Sequence, residues 1–167
     1  FSPVKSLATL PMALSIVGIA IFAIFAAKVM SIIGRRAGFI FASIISSLSS
    51  LLAAYSIIIE SFILFNLACF LLGAGVAFSH QYRFAAVETV KKDMAPKAIS
   101  IILLAGIGSA FIGPNVANIT KDIIAEHLYA GSYIALAVLT LTSIIFLLFY
   151  KDGHKPNRIN KKTSRSY

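Results

Sequence analysis

Charged residues are scarce in this chain: they make up 13% of its 167 residues, whereas 59% are hydrophobic. This balance is too apolar for a soluble monomer. The few charges are also evenly spaced and leave five uncharged stretches of 22 to 24 residues. As a helix, each stretch reaches about 33 to 36 Å, enough to cross the hydrocarbon core of a bilayer with some tilt. The sequence therefore predicts an all-α membrane protein with five transmembrane helices, approximately at residues 6–27, 38–59, 62–82 or beyond, 98–119 and 129–150.

Cysteine and catalytic motifs are nearly absent as well. The single cysteine, Cys69, lies within an apolar run, which excludes a disulfide framework and a thiolate zinc cluster. The sequence contains no P-loop, no zinc-binding His-Glu pair and no nucleophile elbow. We therefore predict neither an enzyme nor a cofactor nor a metal site. An intramembrane enzyme would need acids and bases inside its spans, and only the segment from His80 to Glu88 offers any.

The basic residues are distributed unevenly between the two sides of the predicted bundle. Twelve Lys and Arg fall in the loops and tail on one side and two on the other. Since cytoplasmic loops carry the excess of basic residues, we place the N-terminus outside and the C-terminus in the cytoplasm. The cations lie between or after the spans and form no stripe on a folded face, so the net charge of +9 does not indicate nucleic-acid binding. The predicted domains are a transmembrane helical domain, residues 1–150, and a basic cytoplasmic tail, residues 151–167.

The third predicted span ends in the polar segment His80-Gln81-Tyr82-Arg83. In one interpretation the helix leaves the membrane near Arg83, whose side chain then reaches the headgroups. In the other it continues to about Val90, because nothing breaks it before Pro96, and Arg83 lies roughly 12 Å inside the membrane. A cation at that depth marks a water-filled cavity or a solute pathway, and this is the interpretation we favour.

The fourth predicted span carries small residues at four-residue spacing, Ala105, Ser109 and Gly113. Such a pattern allows another helix to approach closely, and helix packing is the explanation we prefer. Pro114 removes one backbone hydrogen bond from this helix. Asn115, which follows it, faces either a neighbouring helix or the cavity.

The segment 27–36 resembles the signature loop of the major facilitator superfamily. Gly34, Arg35 and Arg36 match the end of that motif, although its earlier glycine, acid and base are replaced. Further along the chain, Gly73 and Gly75 fit the motif of the family's fourth helix, and Gly113-Pro114 fits that of the fifth. The order of these matches resembles helices two to six of the N-terminal half, and absence of the first helix would account for a chain that begins with phenylalanine. Helices eight to twelve of the C-terminal half are the alternative.

The resemblance implies a secondary transporter in which two halves hold a small solute near the midplane and rock to give alternating access. The family's cavity helices are the first and fourth of each half, so His80 and Arg83 are the main candidates for solute binding, followed by Gln81, Tyr82 and Asn115. We expect Arg83 to hold an anionic solute and His80 to admit protons. The expected partners are the lipid bilayer, the remaining helices of a full transporter and the solute, with a bacterial inner membrane as the location. A non-transporting remnant or a helix-packing subunit from a truncated or split gene is the alternative function.

Overall fold

In the computed structural model of the protein, residues 7–124 and 127–149 are described, without the side chains at positions 83, 86, 88 and 89. This part of the chain consists of helices and turns and contains no strand. Five helices are long and apolar enough to cross a membrane, which confirms the predicted all-α membrane bundle. In chain order the helices are α1 (Leu10–Ile33), α2 (Arg35–Ile58), α3 (Phe62–Ser79), the short α4 (Tyr82–Thr89), a 3-10 turn (Lys92–Met94), α5 (Ala95–Thr120) and α6 (Ala130–Phe149).

The first two helices are joined by a single residue, whereas the sequence predicted a ten-residue loop after residue 27. Helix α1 continues past Lys28 to Ile33, and α2 begins at Arg35. The charge of Lys28 does not end the helix, because its exposed, flexible side chain can extend from the helix towards the headgroups. Gly34 makes the turn with φ 88°, a left-handed conformation that side chains other than glycine's rarely adopt.

Helices α1 and α3 touch through their backbones. A Cβ atom at Gly18 would lie 2.3 Å from the carbonyl oxygen of Phe70, and one at Gly73 would lie 2.4 Å from that of Ser15. The Ser15 hydroxyl also donates a hydrogen bond across this contact to the carbonyl oxygen of Cys69, at 3.1 Å. Small residues therefore set the spacing of these helices, as is common between helices in membranes.

Helices α2 and α6 pack through serines. The Ser43 and Ser143 hydroxyls are 3.1 Å apart, and the Ser47 hydroxyl donates to the carbonyl oxygen of Ala137 at 3.3 Å. Near the end of α6, the Arg36 guanidinium donates to the carbonyl oxygen of Leu148. Hydrogen bonds thus join α2 and α6, whose outward faces are apolar.

The helices contact one another unevenly. Helix α3 packs extensively against both α1 and α2, and α2 packs extensively against α6. Helix α5 makes only limited contacts with α4 and α6, and it has no buried residue along its whole length. One long helix therefore stands at the edge of the bundle with most of its surface uncovered.

Candidate functional site

The predicted solute-binding segment lies at a break between two helices. Helix α3 ends at Ser79, α4 begins at Tyr82, and His80 and Gln81 form a turn between them. The prediction of an uninterrupted helix to Val90 is wrong. The Gln81 amide donates to the carbonyl of Phe78, three residues back, so the helix tightens and its regular ladder of bonds is interrupted.

The described side chains of this segment have different environments. His80 is exposed, and Gln81 and Tyr82 are partly buried. The Tyr82 ring stacks on Phe39 of α2, with centroids 4.3 Å apart and planes 24° from parallel. Burial raises the pKa of the Tyr82 hydroxyl above its ordinary value. The stacking of Tyr82 on Phe39 therefore joins α4 to α2. The Arg83 side chain lies outside the described part of the chain.

The signature loop lies at the same end of the bundle as the segment 80–83. Phe39, which stacks on Tyr82, follows Arg35 and Arg36 by only a few residues in α2. Arg36 bonds to α6, as described above, and both arginines are partly buried. The loop, the helix break and α4 surround a shared apolar cluster, formed by Ala26, Met30, Phe39, Ala42, Phe78 and Ala85. This cluster gives the two motifs a common rigid support.

The predicted residues of α5 do not join the His80 segment. Asn115 lies about 30 Å along the helix from Ala95, where the chain arrives from α4. Its side-chain amide is exposed and donates to the carbonyl oxygen of Phe111, at 2.7 Å on the same helix. Pro114 lies inside α5, and a Cβ atom at Gly113 would meet nothing within 4 Å. The described residues thus offer no partner for helix packing at Gly113.

A large cavity opens at the opposite end of α3, between α5 and the rest of the bundle. We call it the α5 groove. Its volume is about 1170 Å³. Phe65, which lines the groove, lies about 22 Å from His80 along the axis of α3. The lining residues are Ile57, Glu60, Phe65, Ala105, Gly108, Ser109, Ile112, Gly113, Val116, Ala117, His127, Leu128, Tyr129, Ser132, Tyr133, Leu136 and Leu139.

Aromatic residues that the sequence did not single out meet at this groove. Phe65 of α3 and Tyr133 of α6 pack edge to face, with centroids 5.7 Å apart and planes at 86°. Tyr129, in the turn before α6, adopts a positive φ of 70°. No motif marks these residues, because they come together only through the packing of distant parts of the chain.

The polar groups of the described residues show no arrangement suited to a metal. No three His, Cys, Asp or Glu side chains come together within residues 7–124 and 127–149, as far as these are described. One buried polar atom there lacks a partner, Oδ1 of Asn66, while the same side chain donates to the carbonyl oxygen of Phe62 at 2.7 Å.

The family profile described as Major Facilitator Superfamily matches residues 2–166, nearly the whole chain. The chain belongs to the major facilitator superfamily. It is thus a multi-pass membrane protein of a transporter family, as its motifs and five apolar helices predicted.

Curated members of this family share recognisable similarity with the chain. It is 32% identical over 158 residues to the riboflavin transporter RfnT of Brucella anthropi, a match that covers 93% of this chain and 40% of the relative. Two uncharacterised transporters of Bacillus subtilis, YddS and YdeG, are 28% and 27% identical, and the chain covers 35% of each. The chain therefore spans well under half the length of these relatives. No solved structure matches it significantly.

Proposed function

We propose that the chain forms part of a secondary transporter that moves a small solute across a bacterial inner membrane by alternating access, without enzymatic chemistry. The observation that carries this proposal is the family match across residues 2–166, together with five apolar helices of spanning length. In such transporters the solute site lies between helix bundles that move relative to each other.

We propose riboflavin, or a similar flat heterocycle, as the solute to test first. The relative of 32% identity is named a riboflavin transporter, and the match extends over 93% of this chain. A planar heterocycle can stack on aromatic side chains and bond to polar ones. This choice replaces the anionic solute that Arg83 alone suggested, and it leaves Arg83 a role as a hydrogen-bond donor.

The proposed contacts are His80, Gln81, Tyr82 and Arg83 at the junction of α3 and α4, with Asn115 as an outlying candidate. The junction combines an exposed imidazole with a partly buried amide and a tyrosine held by stacking. It also adjoins the signature loop, so movement of the loop and of the junction would be coupled through the cluster around Phe39. His80 is the proposed route for protons, because an imidazole ring can both accept and donate a proton.

The test is a chimera in which this chain replaces the matching segment of the Brucella anthropi riboflavin transporter. We expect cells that make the chimera to accumulate labelled riboflavin, and Arg83→Ala to reduce the initial uptake rate about tenfold or more, the effect of losing one charged contact. Asp93→Ala, in the exposed turn before α5, is the matched control and should leave uptake unchanged.

Two results would count against the proposal. Normal uptake by a well-expressed Arg83→Ala chimera would remove Arg83 from the site. Failure of a folded, membrane-inserted chimera to transport any of a panel of heterocycles would favour a non-transporting remnant. The chain alone in liposomes gives a further check, since solute accumulation there would show that it needs no additional helices.

A further inference from the structure

The segment that leads from α4 into α5 exposes large apolar side chains. We call residues 84–97 the α4–α5 connector. Within it, Phe84 is 60% exposed, Val90 38% and Met94 46%. Apolar surface of this kind is unfavourable in water, whereas the boundary between the acyl chains and the headgroups of a bilayer accommodates it. The connector is therefore suited to lie at a membrane surface.

The direction of Phe84 follows from the way α4 is held. Tyr82 of this helix stacks on Phe39, and Ala85 is buried in the apolar cluster shared with the signature loop. Given the helical period, position 84 points away from the face that positions 82 and 85 form. The Phe84 ring thus faces away from the bundle because the opposite side of α4 is attached to it.

Lysines lie among these apolar side chains. Lys91 and Lys92 follow α4, Lys97 lies in the first turn of α5, and all three are exposed. The acidic residues of the connector are Glu88 and Asp93, so its net charge is positive. The connector therefore offers cationic and apolar groups side by side.

The two ends of the bundle differ in charge. The signature loop, at the same end as α4, adds further basic residues, Lys28, Arg35 and Arg36. The connections at the opposite end are acidic, with Lys121 against Glu60, Asp122 and Glu126. In the orientation predicted from the basic residues, the connector lies at the cytoplasmic surface, where anionic lipids give the membrane a negative potential.

The combination of groups distinguishes an anionic lipid from other anions. A soluble phosphate or a nucleic acid would contact the lysines alone and leave Phe84, Val90 and Met94 in water. A phospholipid meets both requirements, because its phosphate can bind the ammonium groups while its acyl chains cover the apolar side chains. The apolar residues therefore decide in favour of a lipid.

We infer that the α4–α5 connector is a binding site for the headgroup of an anionic phospholipid, with Lys91, Lys92 and Lys97 contacting its phosphate. Since α4 and the signature loop share one apolar cluster, a lipid bound here would also hold α4 against the loop. This inference goes beyond the proposed function, which concerns the solute, and its test requires no transport.

The test measures which lipid lies next to Met94. The chain carries Cys69→Ala, which removes the native thiol, and Met94→Cys, which is labelled with the fluorophore bimane. In phosphatidylcholine vesicles, a small share of the lipid is replaced by a spin-labelled quencher, either phosphatidylglycerol or phosphatidylcholine. Ile123→Cys, 68% exposed in the turn after α5 at the opposite end, is the matched control position.

We expect phosphatidylglycerol to associate with the Met94→Cys position about fivefold more strongly than phosphatidylcholine, the gain from about one net positive charge near the membrane surface. Adding Lys91→Gln and Lys92→Gln should remove this preference and leave quenching by phosphatidylcholine unchanged, because the apolar side chains keep the connector at the bilayer. Lys121→Gln, at the opposite end, should leave the preference intact. At Ile123→Cys the two lipids should quench equally.

Equal quenching by the two lipids at Met94→Cys would overturn the inference, and weak quenching by both would place the connector in water and overturn it too. A preference that survives Lys91→Gln with Lys92→Gln would assign the lipid to other cations of the chain. Displacement of phosphatidylglycerol by inorganic phosphate would make the lysines a site for a soluble anion, which also contradicts the inference. None of these results bears on the transporter proposal, which depends on uptake by the chimera.

Discussion

At the scale of single residues, glycine positions decide how closely the helices approach. We predict that Gly73→Ala destabilises the protein by about 1 to 3 kcal/mol, the usual effect of overpacking, since its Cβ would lie 2.4 Å from the Ser15 oxygen and 2.9 Å from the Ile19 nitrogen. Gly106→Ala is the matched control. It should leave stability unchanged or raise it by up to about 1 kcal/mol, because nothing lies near the new methyl group and alanine favours the helix.

Both variants can be compared by thermal unfolding in detergent, with a thiol-reactive fluorophore reporting exposure of the buried Cys69. An unfolding temperature for Gly73→Ala equal to that of the unmodified chain would contradict the close contact between α1 and α3.

Candidate site residues could be predicted from the sequence only where polar side chains follow a long apolar stretch. A histidine, a glutamine and an arginine after a long apolar run are visible without a structure, so the segment 80–83 could be singled out. Phe65 and Tyr133 could not, because aromatic residues are ordinary in apolar spans and the two lie 68 residues apart in the chain. Their edge-to-face contact depends on the packing of α3 beside α6.

At the scale of helices, spans could be located from the charge spacing, but their ends could not. A lysine can lie within a helix and extend its side chain outward, so Lys28 marked the wrong boundary for α1. The break at His80 and Gln81 was also missed, because neither residue is a helix breaker. The second, fourth and fifth spans and the start of the third were placed more accurately, since turns or breakers flank them, such as Ser61 before α3 and Gly131 at the start of α6.

The contact between α2 and α6 gives a test at this scale. We predict that Ser43→Ala and Ser143→Ala each destabilise the bundle and that the double variant costs less than their sum, with a coupling of about 0.6 kcal/mol, the average for such bonds in membranes. Ser109→Ala serves as a control, because its hydroxyl bonds only within α5. Strictly additive effects in the same unfolding assay would mean that the two hydroxyls do not interact.

At the scale of the whole molecule, the number of helices and their order follow from the sequence, whereas their neighbours do not. The apolar faces of the five spans resemble one another, so hydrophobicity gives no reason for α3 to lie between α1 and α2. The close contacts at Gly18, Gly73 and Gly75 supply that reason, and they become visible only in three dimensions. The uncovered surface of α5 likewise has no counterpart in the sequence pattern.

The orientation of the bundle in the membrane is a further prediction at this scale. In intact bacteria, Asp122→Cys should react with a membrane-impermeant maleimide, because the loop after α5 is expected outside. Lys92→Cys, exposed in the turn before α5, should react only after the cells are opened. Labelling of both positions in intact cells, or of Lys92→Cys alone, would reverse or refute the orientation drawn from the basic residues.

The single-residue connection at Gly34 has a mechanical consequence. Helices α1 and α2 have 24 residues each, and Gly34, in a left-handed conformation, is the one residue between them. A connection this short leaves the two helix ends little room to move apart. A tilt of α1 would therefore displace the first turn of α2. Because Arg36 in that turn bonds to the carbonyl oxygen of Leu148, the displacement would also act on the end of α6. The turn at Gly34 and the Arg36 bond therefore connect α1, α2 and α6 in series, so that a displacement of α1 would be passed on to the other two helices.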